Sequence, residues 1–225
     1  MELLDNLPHD KLKTCPQGNG ILQTELRASV EHGSSKLEEH FYPLTDPLLH
    51  EITKFQSLYI PSQHTMAQKW VPSVACGMIQ QIYQERPNSS LLLADFDWLP
   101  PPILEKRSID ERKSLYSDYE PLITDMNDID HACYLTAPPI CDVLFPTDFP
   151  LLGGFVSTIL ENLSACAVSR QVLLSVGIEK QSDFLLRFGD QEVKRTTSRW
   201  TGYNPLLRDF SNCSVLTVSR RKAND

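Results

Sequence analysis

Two groups of carboxylates stand where an open α/β sheet would collect a ligand. Glu2 and Asp5 lie in Glu2-Leu3-Leu4-Asp5-Asn6-Leu7-Pro8, which reads as the end of a buried element running into a turn. Asp95 and Asp97 close the apolar run Leu91-Leu92-Leu93-Ala94. Ligands of such sheets bind beyond the carboxyl ends of the strands. A carboxylate there can accept hydrogen bonds from a cationic nitrogen and orient its lone pair, as alkyl transfer to a guanidinium requires. The same pattern fits Asp5 or Asp95 as a cap of a following helix or turn, so both readings stand. Asp148 follows Phe145-Pro146-Thr147 at the head of an apolar periodic run. Its simplest role is an N-cap, and its place just after a long acidic stretch also suits a substrate-facing group.

Other chemistries lack their signatures. His9, His64 and His131 have no partner at nucleophile or metal spacing, and the six cysteines are scattered without a C-x-x-C pair. No metal centre is expected, and the cysteines read as buried free thiols. The G-x-S-x-G elbow, the phosphate loop and H-E-x-x-H are absent. Trp98 and Trp200 fit either a pocket wall or a core plug.

The elements that must position these groups follow from periodicity. Val74, Met78, Ile82 and Tyr83 predict a helix over 72–86, ended by Arg86-Pro87. Leu91 to Ala94 reads as an interior strand buried on both faces, flanked by the opening segment and by a strand over 213–218. A further strand is expected over 171–176, and Ser182 is expected to cap a helix through Phe188. Phe149, Leu152, Phe155, Val156, Ile159 and Leu163 support a helix over 148–163, weakened by Gly153-Gly154. Residues 15–39 suggest a hairpin or irregular segment turning at Gly18-Asn19-Gly20. Residues 100–140 are polar, acidic and proline-bearing, and read as a long loop excursion. The expected whole is one α/β domain, the closing part of a doubly wound, Rossmann-like sheet with helices, an antiparallel finish and a long inserted loop.

Composition narrows the partners. The chain has 225 residues, 41% hydrophobic and 22% charged, with a formal net charge of -8. It is long enough for one sizeable core. With no basic run it lacks the footprint of a nucleic-acid binder, and basic peptide segments are more natural partners. Neither a membrane span nor a targeting segment is visible.

Several motifs carry a family resemblance. Glu2-Leu3-Leu4-Asp5-Asn6-Leu7-Pro8, Leu93-Ala94-Asp95-Phe96-Asp97 and Tyr119-Glu120-Pro121-Leu122 occur in order. They are followed by Cys141-Asp142-Val143-Leu144-Phe145-Pro146-Thr147-Asp148-Phe149, Phe184-Leu185-Leu186-Arg187-Phe188 and Tyr203-Asn204-Pro205-Leu206-Leu207. Together they resemble the MidA-like family of S-adenosylmethionine-dependent protein arginine methyltransferases, whose mitochondrial members assist assembly of respiratory complex I.

The resemblance implies a class I methyltransferase sheet, S-adenosylmethionine as donor, and symmetric dimethylation of an arginine in a complex I subunit. It also implies residence in the mitochondrial matrix. On that reading Glu2 and Asp5 bind the guanidinium, and Asp148 and Asp95 shape the substrate mouth. The glycine turn that cradles the donor is expected upstream of Met1, so no donor-contacting residue is assigned and the chain by itself is expected to be inactive. The competing expectation is a non-catalytic protein-binding module that keeps the 100–139 loop as its partner-facing surface. Oligomeric state stays open.

Overall fold

The structure, a computed structural model, describes residues 2–3, 10–14, 20–31, 34–56, 68–103, 120–166 and 174–220. In chain order the strands are β1 (Glu2–Leu3), β2 (Asp10–Thr14), β3 (Ile21–Glu31), β4 (Ser34–Pro43), β5 (Gln68–Val71), β6 (Leu91–Phe96), β7 (Leu122–Thr124), β8 (Asp130–His131), β9 (Asp142–Leu144), β10 (Leu174–Lys180) and β11 (Cys213–Arg220). The helices are α1 (Pro47–Gln56), α2 (Ser73–Glu85), α3 (Phe149–Cys166), α4 (Gln181–Phe188), α5 (Asp190–Thr196) and α6 (Pro205–Arg208). The result is a mixed α/β protein with several antiparallel sheets. It divides into two compact units, Met1–Leu4 with Met78–Trp98 and Phe149–Asp225, and Asp5–Gly77 with Leu99–Asp148.

The first unit is organised by a four-stranded sheet in the order β1-β6-β11-β10. β1 runs parallel to β6, with Glu2 opposite Leu93 and Leu3 opposite Ala94. β11 is antiparallel to β6 on one side and to β10 on the other. Three strands therefore share a direction, and β11 runs against them. Leu93 and Ala94 are both buried although consecutive strand residues face opposite sides, as an interior strand requires. The predicted strand and its two neighbours are thus as expected.

α3 packs on β10 and β11 through an apolar face that includes Leu152, Phe155 and Val156. The glycines that weaken it in sequence have a packing reason. A Cβ on Gly153 would lie 2.6 Å from Ile178 Cδ1 and 3.9 Å from Leu216 Cδ1, so a bare backbone lets the helix approach the sheet.

Downstream, the structure corrects two expectations. β10 extends to Lys180, beyond the strand expected over 171–176, because it is paired with β11 over its whole length. Residues 171–173 lie outside the described residues. The helix then starts without a loop at Gln181, with Lys180 at the N-cap and no side-chain cap bond, so Ser182 is not the cap. Asp183 in the first turn supplies the favourable charge instead.

Asn204 explains the Tyr203-Asn204-Pro205-Leu206 motif. It is buried, its amide group donates to Val193 O and Thr196 Oγ1 at 3.0 Å and to Thr197 Oγ1 at 3.2 Å, and its Oδ1 accepts from Leu206 N–H at 3.0 Å. One side chain thereby ties the end of α5 to the start of α6, with Pro205 in the first helical turn.

The second unit holds an antiparallel sheet in the order β4-β3-β2-β5 and a three-stranded sheet in the order β8-β7-β9. The segment expected over 15–39 as a hairpin or irregular stretch carries β3 and most of β4, paired from Leu22–Pro43 to Glu31–Ser34, and β3 pairs in turn with the preceding β2. Gly18 and Asn19 of the expected turn lie outside the described residues. The stretch expected as a long loop over 100–140 carries β7 and β8 in its later half. Asp125 makes the turn between them by accepting from Asn127 N–H at 2.8 Å and Ile129 N–H at 3.2 Å, and these bonds hold its carboxyl below the usual range. Lys11 pairs with both oxygens of Glu39, at 2.9 and 3.2 Å, while its ammonium lies 5.4 Å from the Trp70 ring centroid and 6.0 Å from that of Tyr134.

Removing the Asn204 clamp strips the α6 cap from Leu206 N–H and empties a buried site, while Val193 O keeps the donors Thr196 Oγ1, Thr197 Oγ1 and Thr197 N–H. Asn204→Ala is expected to lower unfolding free energy by about 3 kcal/mol in urea. A loss below about 1 kcal/mol would show that the clamp is incidental. Gly153→Ala displaces only the tip of Ile178 and gains helix propensity, so it should be nearly neutral. Gly153→Leu should lower the melting temperature clearly.

Candidate functional site

Because β1, β6 and β10 share a direction, their carboxyl ends lie at one edge of the sheet, and β11 begins there. Asp97, Lys180 and Ser214 meet at that edge. Asp97 N–H donates to Asn212 O at 2.8 Å, and the Asn212 amide group donates to Trp98 O at 3.0 Å, so the residues after β6 are held by main-chain geometry. The Asp97 Oδ2 accepts from Lys180 Nζ and from Ser214 Oγ. Its Oδ1 is buried and has no hydrogen-bond partner among the described residues.

An ionised carboxylate has about four acceptor positions, and a buried acceptor left empty costs free energy. Asp97 is therefore oriented by two donors on one oxygen, and its other oxygen has no donor among the described residues. The side chain is 19% exposed, and the adjoining Trp98 is 47% exposed and plugs no core. A fixed anionic acceptor beside an open aromatic suits a flat, cationic N–H donor such as a guanidinium.

The sequence-predicted groups fall around this edge and away from it. Asp95 is buried, and its Oδ1 accepts from its neighbour Phe96 N–H at 2.8 Å, a local bond of the kind a structural role uses. Glu2 stands on the adjacent parallel strand, opposite Leu93 in register. Asp5 lies outside the described residues. Asp148 belongs to the second unit, immediately before α3, where it is buried and paired with Lys69 Nζ at 2.8 Å. Lys180 and Ser214 carry no sequence signal as site residues. Only strand order brings a lysine 83 positions and a serine 117 positions from Asp97 onto one oxygen.

Among the described residues two buried thiols, Cys213 and Cys76, are held protonated. Burial, followed by the charges of Asp95 and Asp97, pushes the Cys213 thiol up to about 11, so it stays protonated at neutral pH. Cys76 in the second unit is pushed up to about 12 by burial and then by Asp148. No cluster of three or more metal-ligating side chains occurs among the described residues. The glycines of the first unit sit in α3, in β10, at the α4–α5 junction and in the turn before α6. Among the described residues no glycine-rich turn follows a strand of this sheet.

Solved structures place this architecture. The chain is similar to a "likely methyl transferase" from Burkholderia thailandensis bound to S-adenosyl-homocysteine, with a TM-score of 0.59 at 11% sequence identity, over 96% of this chain and 51% of that one. A high-resolution structure of an uncharacterized protein of the same superfamily and organism matches with a TM-score of 0.59 at 12% identity, over 96% of this chain and 53% of that one. At such identities the likeness is one of fold. The chain spans about half the length of the structures it matches. No family model matches it, and no curated protein does.

The raised thiols give a pH dependence with a definite sign. Cys76 and Cys213 bind their protons more tightly folded than unfolded, so their stabilising contribution is complete below the ordinary value of 9.0. It is lost as pH rises through about 11 and about 12. Urea unfolding at about pH 8 and about pH 10 should show falling stability, and Cys76→Ala with Cys213→Ala should make the fall shallower. An equally steep fall in the double variant would rule the thiols out as its source.

Proposed function

We propose that this chain is the acceptor-side part of an S-adenosylmethionine-dependent protein arginine methyltransferase with a Rossmann-like sheet. The observation that carries the reading is the likeness of fold over 96% of the chain to the structure bound to S-adenosyl-homocysteine. The reversed β11 between β6 and β10 supports it, since it leaves three strands of one direction opening onto a common edge. The oriented carboxylate at that edge supports the choice of acceptor.

When bound, the donor supplies an electrophilic methyl group. This chain's residues act on the other reactant. Asp97 Oδ1 accepts an N–H of the incoming guanidinium and positions its remaining nitrogen for transfer, while Lys180 and Ser214 hold the carboxylate in place. Trp98 flanks the planar cation. Glu2 stands on the neighbouring strand as a further candidate carboxylate, and Asp95 shapes the mouth. Catalysis on this reading is positioning and electrostatics, with no covalent intermediate on the protein. The protein substrate is an arginine-bearing subunit of complex I, modified by symmetric dimethylation in the mitochondrial matrix.

Because the chain spans about half the length of the structure it matches, the test uses a protein that joins it to a donor-binding part, and reads methyl incorporation from labelled S-adenosylmethionine into arginine peptides and into the same peptides with lysine in its place. Asp97→Asn should lower transfer about 100-fold, with an unchanged melting temperature. Unchanged transfer would remove Asp97 from the site. Equal labelling of lysine peptides would remove the arginine assignment. Peptide binding without transfer in the unmodified protein would replace the enzyme by a protein-binding module of the same fold.

A further inference from the structure

The turn between α5 and α6 is built as a presentation device. Trp200 is 98% exposed, a placement that forgoes the burial of the largest apolar side chain unless something covers it. The backbone beneath it is held firmly. Ser198 N–H donates to Tyr203 O at 2.8 Å and Gly202 N–H to Ser198 O at 2.9 Å. Thr201 N–H donates to Ser198 Oγ at 3.3 Å and Tyr203 N–H to Thr201 Oγ1 at 3.2 Å. Gly202 takes a φ of 65°, which a side chain would resist. Buried Asn204 then anchors the turn to α5 and α6. A chain that only needed to connect two short helices has no use for an indole at the tip of so rigid a turn.

Charge says what covers it. The protein carries a net charge of -8, yet Arg195, Arg199 and Arg208 around this turn are exposed. None of them enters an ion pair among the described residues. Elsewhere in the unit Lys180 pairs with Asp97, Arg187 with Glu179 and Lys194 with Asp190, while Arg86, like these arginines, enters no ion pair among the described residues. Arg208 instead lies over the Tyr203 ring, 5.9 Å from its centroid, and the Tyr203 hydroxyl donates to Asp209. Trp, Tyr and Arg are the residue types that dominate interface energetics, and a pre-formed turn lowers the ordering cost of using them.

We propose that the 198–203 turn is a docking site for an acidic segment of a partner protein, with Trp200 as its apolar anchor and Arg199 and Arg208 as its readers of carboxylate. This site lies outside the acceptor edge and does not depend on the methyltransferase reading. The net charge of -8 and the absence of a basic run lack the footprint of a nucleic-acid binder, which favours a peptide over a nucleic-acid strand.

Poly-L-glutamate is the probe, with tryptophan emission as the readout on the intact chain. Saturable binding with a change in emission is expected, weakened about tenfold by added salt. Arg199→Ala with Arg208→Ala should weaken it about tenfold as well, and Trp200→Phe should abolish the emission change. All three positions are exposed, so unchanged melting curves are expected to accompany these losses. Absence of binding would overturn the proposal, as would binding that survives in the arginine variants. Tighter binding of poly-uridylate or of phosphatidylserine vesicles than of poly-L-glutamate would overturn the choice of a protein partner.

Discussion

Everything at the acceptor edge depends on one act of strand pairing, the insertion of β11 between β6 and β10. Its residues are opposite Phe96 to Leu91 on one side and opposite Lys180 to Leu174 on the other. Without that double ladder, Lys180 and Ser214 would have no reason to approach Asp97, and β10 would be unpaired. Val215, Leu216 and Val218 bury this strand completely enough that its register cannot slip by one residue without exposing them. The hydrophobic pattern of a terminal strand therefore fixes the geometry of a carboxylate more than a hundred positions earlier in the chain.

The remaining elements of the first unit serve that sheet. α3 uses a glycine to reach it closely, and α4 begins directly at the end of β10, so Lys180 is the last residue of a strand and the first residue at a helix start at once. A lysine at such a junction has little backbone freedom, which aims its long side chain at small entropic cost. The second unit solves a different problem with a different device. There an ammonium, two aromatic rings and a carboxylate share one half-buried cluster around Lys11, and burial together with Glu39 pushes the Tyr134 hydroxyl well above its ordinary range. Tyr134 accordingly acts as a donor to Glu39 and stays neutral.

Elements with strong local signals were legible in the sequence. The four apolar residues of β6 and the periodic faces of α2 and α3 appear where composition and spacing put them, because long apolar patterns leave few alternatives. β3 was harder to read. Thr24, Leu26, Ala28 and Val30 alternate with Glu25, Arg27, Ser29 and Glu31, a strand pattern, but its polar flanks also suit an irregular segment. β7 and β8 are too short to show a period, and Asp125 rather than hydrophobicity makes their turn. At the site, the carboxylates were visible because acidic residues after an apolar strand stand out. Their partners were invisible, since a lysine and a serine acquire meaning only through strand order.

Asp95 and Asp97 show why spacing along a strand end is insufficient to choose a ligand-binding group. The two differ by two positions, so in a regular strand they would face the same side. Asp95 is still inside the ladder, opposite Ser214, and spends an oxygen on the adjoining backbone N–H. Asp97 is the first residue past the strand, where the backbone turns away to bond Asn212, and this frees its side chain to reach across to β10 and β11. The same chemical group is thus a structural acceptor at one position and an aimed, half-satisfied acceptor at the other. A strand ending two residues earlier, at Ala94, would put Asp95 in the place of Asp97, and the strand's end coincides with the start of β11, where Phe96 stands opposite Cys213.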